Sequence, residues 1–440
     1  MKSSYKVIKP NKSIPATDLV LGAGFFFSAL NQYLAYGIFV VFLLYFSIHR
    51  DRISMLKAFS LYVLRVSSMN PLIFQNSTNG AVRNALLLGY AICSIVISRV
   101  QDDRLITLKK IAKAFAIYYV YLLFNSLFVS TYPVVSTIKL ILYGAAFFGA
   151  MCLVASETQY PWIKYFTNWY TMIMLLCLIV IPIGSLRIRN GHAFQGVFGH
   201  PNVFGIVASA YVCLVLASNM HKWKKFLMIT LTLYMQYLSG SRTGLFSAVI
   251  IIGLYVVLTY RKSMSTMLFV LLVTAFCVVV ALVLVPTFAS KLTAFFWKSS
   301  TGDLLHSRSG QIDRFMIKFE TSPIFGTGFM VPYDPSNTAR SFELLFDLYV
   351  EDGNLFFSVI GQTGIVGLLL FIIAYGRTFL LGNRDRLYLF IAPILISSGE
   401  MVFFSTNSLG FLLYVFYAIY VFCPKASPLM KGGGDFVPSL

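Results

Sequence analysis

Residues 197–218 read VFGHPNVFGIVASAYVCLVLAS, a polar knot of Gly199, His200, Pro201 and Asn202 followed by an apolar run over 203–218. Pro201 is pre-set for the first turn of a helix and Asn202 can cap one. The knot therefore reads as the start of a helix that continues as a membrane span, since about 30 Å of hydrocarbon needs roughly 20 apolar residues. Comparable runs lie at approximately 82–98, 112–131, 134–154, 168–184, 225–239, 244–259, 266–287, 354–376, 387–404 and 407–422. Upstream, 18–49 is long for one span and short for two, and 53–70 is amphipathic, with Lys57 and Arg65.

Composition points the same way. Of 440 residues, 58% are hydrophobic and 12% charged, against about 25% charged in soluble domains. The expected fold class is all-α: a polytopic transmembrane helical protein of about 12–14 spans. The first sixteen residues are polar and basic and lead directly into the spans, so no cleavable signal peptide is expected. The net charge of +19 punctuates the spans instead of forming one stripe, which argues for topology signalling and against nucleic acid. Six cysteines (Cys93, Cys152, Cys177, Cys213, Cys277 and Cys423) sit in or beside apolar runs without paired spacing. They read as packing residues, with neither disulfide framework nor metal site.

If the spans alternate, Lys109, Lys110, Lys113, Lys222, Lys224, Lys225, Arg261, Lys262, Arg377, Arg384 and Arg386 share one side, which the positive-inside rule makes cytoplasmic. The outer side then holds GHPN, SGSRTG (239–244), Arg187, Arg189 and the long connection 288–353. The chain divides into transmembrane helices (1–287), that extracytoplasmic connection, C-terminal transmembrane helices (354–424) and a cytoplasmic tail (425–440). In SGQIDRFMIKFETSP (309–323), Ile312, Phe315, Met316 and Phe319 recur at helical spacing with Arg314 and Lys318 beside them. That is the pattern of an amphipathic helix on the outer leaflet, ended by Pro323.

Arginines on the outer side are not what the positive-inside rule predicts; each is either a snorkelling or helix-flanking charge or part of a site. Arg242, in a tight turn between Gly240 and Gly244, is the leading candidate for an anion site, because guanidinium binds phosphate bidentately and cannot act as a base. Arg308 and Arg314 are further candidates, with Arg187 and Arg189 secondary; His200 and Asn202 open the neighbouring span. Glu351 and Asp352, at the mouth of a span that Asn354 opens, would either cap a helix or take a proton from an attacking hydroxyl, and His306 is another candidate base. Glu400, in LISSGEMVFF, is an intramembrane carboxylate, a functional candidate or a paired structural group. No Walker A lysine, GxSxG, HExxH or DxD-like pair occurs on that face, so no nucleotide, metal or other cofactor is expected.

Four pieces in order, GVFGHPNVFG (196–205), SGSRTG (239–244), SPIFGTGF (322–329) and NLFFSVIGQTGIVGLLLF (354–371), resemble the O-antigen polymerase and O-antigen ligase family over roughly 168–380. The resemblance implies a GT-C-like membrane glycosyltransferase of the bacterial inner membrane, with its site facing the periplasm or cell exterior. Its donor and acceptor would be undecaprenyl-diphosphate-linked oligosaccharides, in contact with membrane lipids and with a chain-length regulator as a further partner. Arg242 would hold the diphosphate with Arg308 and Arg314 assisting, and an acceptor hydroxyl would attack the anomeric carbon with inversion. Ligases of the family carry a histidine before the asparagine that opens the span after the outer segment; here that position is Gly353, after Glu351 and Asp352. This favours a polymerase over a ligase acting on lipid A core. A transporter of the same lipid-linked sugars would instead favour charges lining the mid-membrane and paired half-repeats, and neither is visible.

Overall fold

The structure, a computed structural model, describes residues 16–70, 73, 80–183, 193–260, 309–333, 354–404 and 410–423. Fourteen α-helices order these residues. The first seven are α1 (Ala16–Phe27), α2 (Gln32–Ile48), α3 (Arg52–Ser68), α4 (Gly80–Ile97), α5 (Asp102–Phe124), α6 (Pro133–Ser156) and α7 (Trp162–Val180). After them come α8 (Pro201–Ala217), α9 (Lys222–Ser239), α10 (Arg242–Tyr260), α11 (Ser309–Thr321), α12 (Leu355–Arg377), α13 (Leu387–Ser397) and α14 (Gly410–Phe422). The protein is an all-α, multi-pass membrane protein. Among the described residues six helices are long and apolar enough to cross a membrane, and α1, α2, α8 and α14 are shorter apolar helices. The expected span at 266–287 lies outside the described residues.

The ambiguous stretch 18–49 is a helical pair broken at Asn31, whose side chain caps α2 by accepting from Tyr33 N–H at 2.7 Å. Asp51 caps α3 through Ser54 N–H at 3.0 Å. Arg52 at this end bonds Glu157, just past α6, at 2.8 Å. Burial raises the Glu157 carboxyl above its ordinary value, with Arg52 pulling the other way.

Lipid removes most of the hydrophobic drive between helices, so close packing of small groups and interhelical hydrogen bonds must hold them. Helix α4 packs along α6, α14 on α6, and α8 against α7, α9 and α10. At the centre an aromatic seam joins Tyr143, Phe147, Phe371, Phe404 and Tyr414 across α6, α12, α14 and the segment after α13. Five of the cysteines are free thiols, and Cys277 lies outside the described residues.

Two features that a helix-by-helix pattern does not contain shape the molecule. Helix α13 stops at Ser397, so 398–404 is not helical; Met401, Val402, Phe403 and Phe404 are nevertheless buried. Helix α11 forms where the periodicity predicts it and runs beside the first half of α12: Phe315 stacks on Phe357 at 4.8 Å, and Lys318 is buried against Gly361. Met316, expected in the apolar stripe, is exposed.

Beyond α11 the chain turns inward. Segment 323–330 packs against the middle of α12, where Gly364 leaves helical geometry at φ 68° and interrupts the ladder. The groups released there are taken up: Ile365 N–H donates to Pro323 O at 2.9 Å, Gly328 N–H to Gln362 O at 3.0 Å, and Thr327 N–H to Gly361 O at 3.2 Å. Tyr121 donates to Thr363 O at 2.6 Å and Asn125 to Phe325 O at 2.7 Å. Asn125 opens a π turn, Asn125–Val129, that continues α5. Non-helical backbone at this depth requires such partners.

Candidate functional site

The knot that opens α8 is a cap. His200 is extended at φ −155°, and its Nδ1 accepts from Asn202 N–H at 3.1 Å. An imidazole that accepts through Nδ1 carries its neutral-form proton on Nε2, so His200 presents a donor there, not a base. Pro201 occupies the first turn, as expected, but the cap is His200 and not Asn202, because the extended residue before Pro201 is the one whose side chain reaches Asn202 N–H. With its backbone N–H in the cap, Asn202 donates its side-chain Nδ2–H to Glu400 Oε1.

The second motif closes on the first. Gly240 ends α9 in the left-handed region at φ 63°, and α10 begins two residues later at Arg242, whose N–H donates to Gly240 O at 3.1 Å. One turn into each helix, Gly205 and Gly244 touch: a Cβ on Gly244 would lie 2.9 Å from the Gly205 backbone, and one on Gly205 would overlap Ser241. The carboxylate loop completes the cluster, because Gly399 lies against Thr243 so closely that a Cβ there would overlap its side chain. Arg242 thus sits between Ser241, which touches α8, and Thr243, which touches the loop carrying Glu400.

Buried polar groups that the sequence reading missed hold this arrangement. Gln236 Nε2 donates to Gly205 O at 3.1 Å and to Ser209 Oγ at 3.0 Å, and the Ser209 hydroxyl donates to Gly244 O at 2.7 Å or to Gly205 O at 2.8 Å. The chain before His200 is pinned as well: Phe194 N–H donates to Leu238 O, Asn70 N–H to Val197 O, and Met69 pairs with Phe198. Buried Gln195 has neither side-chain polar atom bonded among the described residues. The available signal for Gln236 was a polar side chain inside an apolar run.

The site is also tied to the break in α12. Next to Glu400, Met401 Sδ lies 3.6 Å from Gln362 Nε2, and Gln362 Oε1 accepts from Met330 N–H at 3.0 Å. Residues 400–401 therefore bridge the GHPN knot and the inserted glycine-rich segment.

Of the sequence candidates, the structure brings together His200, Asn202, Arg242 and Glu400. Asn354 is a helix cap, accepting from Phe357 N–H at 2.9 Å, and Arg314 is on the exposed side of α11. Arg187, Arg189, His306, Arg308, Glu351 and Asp352 lie outside the described residues. Two helix N-termini meet here, one beginning at Arg242 and the other carrying the Asn202–Glu400 bond, and a helix N-terminus favours negative charge.

Residues 226–372, from within α9 to within α12, match the family model described as O-Antigen ligase. The chain carries an O-antigen ligase family domain. That domain contains Arg242, the inserted segment and the α12 break, while the GHPN knot packs onto it from outside the matched stretch. The O-antigen ligase family supports O-antigen polymerase or ligase activity, the work of membrane glycosyltransferase-like enzymes. No curated protein matches the chain.

Proposed function

We propose that this protein is the polymerase of a bacterial surface polysaccharide, an O-antigen, capsule or exopolysaccharide. It transfers the growing glycan from undecaprenyl diphosphate to a hydroxyl of the next lipid-linked repeat unit, with inversion, at the outer face of the inner membrane. The observation that carries the reading is the convergence of GHPN and SGSRTG, which sets Arg242 at the start of α10 against the start of α8. There the guanidinium, the helix N-termini and the His200 Nε2–H neutralise charge on the departing diphosphate, the role a metal ion fills in other transferases. Gly353, where ligases of the resembled family carry a histidine, favours the polymerase over ligation to lipid A core.

The test is the host's surface glycan on a gel after gene deletion and restoration with wild type, Arg242→Ala or Arg242→Lys. A polymerase leaves single repeat units on deletion, and Arg242→Ala lowers turnover by about 10²–10³. Long chains that persist on the lipid carrier would mark a ligase instead. A ladder that deletion alters but Arg242→Ala does not would remove the arginine from the chemistry.

A further inference from the structure

The transfer needs a proton acceptor, and we propose that Glu400 is that acceptor, an assignment that rests on the transferase reading above. Its position is built from three sides. Asn202 donates to Oε1, Gly399 abuts Thr243 beside Arg242, and Met401 is held on Gln362. Glu400 is an acidic side chain bonded to the GHPN knot. The segment that carries it is buried and non-helical, and Tyr414 donates to Phe403 O a few residues on. A carboxylate fixed by packing and a neighbouring amide is preorganised, as a base for a weakly acidic hydroxyl must be.

The balance of the step follows. A lone pair of the acceptor hydroxyl oxygen forms the new bond to the anomeric carbon. The bond from that carbon to the diphosphate oxygen breaks, and its electron pair leaves with the diphosphate toward Arg242. The hydroxyl proton passes to the Glu400 carboxylate and then to water. Acceptor and leaving group are thereby served by neighbouring residues on two different elements, the 398–404 segment and the start of α10.

Glu400→Gln separates chemistry from structure, because an amide Oε1 still accepts from Asn202 but takes no proton. The purified full chain in lipid nanodiscs would be given lipid-linked repeat units extracted from a deletion strain of the host. Glu400→Gln is expected to keep the wild-type melting temperature and donor binding while transfer falls by about 10²–10⁴, with Glu400→Asp between. Transfer within threefold of wild type would overturn the assignment. So would loss of transfer accompanied by a lowered melting temperature or lost donor binding, which would make Glu400 a structural partner of Asn202. If the wild-type chain itself does not transfer these lipid-linked units, the transferase reading fails, and not the assignment of Glu400 alone.

Discussion

Gly205 and Gly244 meet backbone to backbone, since a Cβ on Gly244 would stand 2.9 Å from the Gly205 Cα, carbonyl carbon and oxygen. Helices α8 and α10 can approach this closely because neither presents a side chain at the crossing. Gly244→Ala is expected to push the start of α10 away from α8, at about 1–3 kcal/mol of overpacking. Displacing Arg242 by a fraction of an ångström should lower transfer by about a hundredfold. Thermal melting in nanodiscs and the glycan ladder check the two effects separately.

Gln236 tests whether the buried network positions Arg242. Gln236→Leu removes the donor to Gly205 O and Ser209 Oγ in a site with no exposure. Leaving buried acceptors unmet costs about 1–3 kcal/mol. The melting temperature should drop by several degrees and turnover should fall, while Ser209→Ala, which leaves the Gln236 bond to Gly205 O in place, should do less of both.

His200 separates capping from anion binding. His200→Ala loses the cap on Asn202 N–H and should cost about 1 kcal/mol. His200→Asn restores an acceptor for that N–H but has no Nε2–H, so stability is expected to return while transfer stays about tenfold below wild type. Full activity in His200→Asn would make the residue a cap alone.

How much was legible in the sequence follows from which forces are local. Helix starts at GHPN and at Asn354 depend on the residues at the boundary and lie where the motifs are, although His200 supplies the first cap in place of Asn202. The place of Arg242 at the start of α10 was readable as well, because Gly240 ends one helix and the next apolar run begins at once. The Asn202–Glu400 bond was not, because it joins positions 198 residues apart and no periodicity encodes the pairing. The span expected at 387–404 stops at Ser397 for a similar reason: Met401, Val402, Phe403 and Phe404 are apolar because they are buried, and burial in a non-helical segment looks like a span in composition. The packing of Phe315 on Phe357 and of Lys318 on Gly361 likewise depends on the neighbour α12, which a single-helix pattern does not contain.

The break in α12 yields the last prediction. A Cβ on Gly364 would overlap Ile324 O, and Gly364 holds φ 68°, a region side-chain-bearing residues avoid. Gly364→Ala should therefore expel segment 323–330 from its seat and lower the yield of folded protein. Asn125→Leu attacks the same seat from the other side, since its Nδ2 donates to Phe325 O at 2.7 Å and to Gln362 O at 3.3 Å. Losing those bonds at a fully buried position should cost about 1–3 kcal/mol. Because Gln362 also holds Met401, next to Glu400, the damage should reach the site. Asn125→Leu is expected to lower transfer as well as the melting temperature, although Asn125 bonds none of the described residues of the Arg242 cluster. A variant that melts early but transfers normally at a temperature below its melt would show that the break serves stability alone.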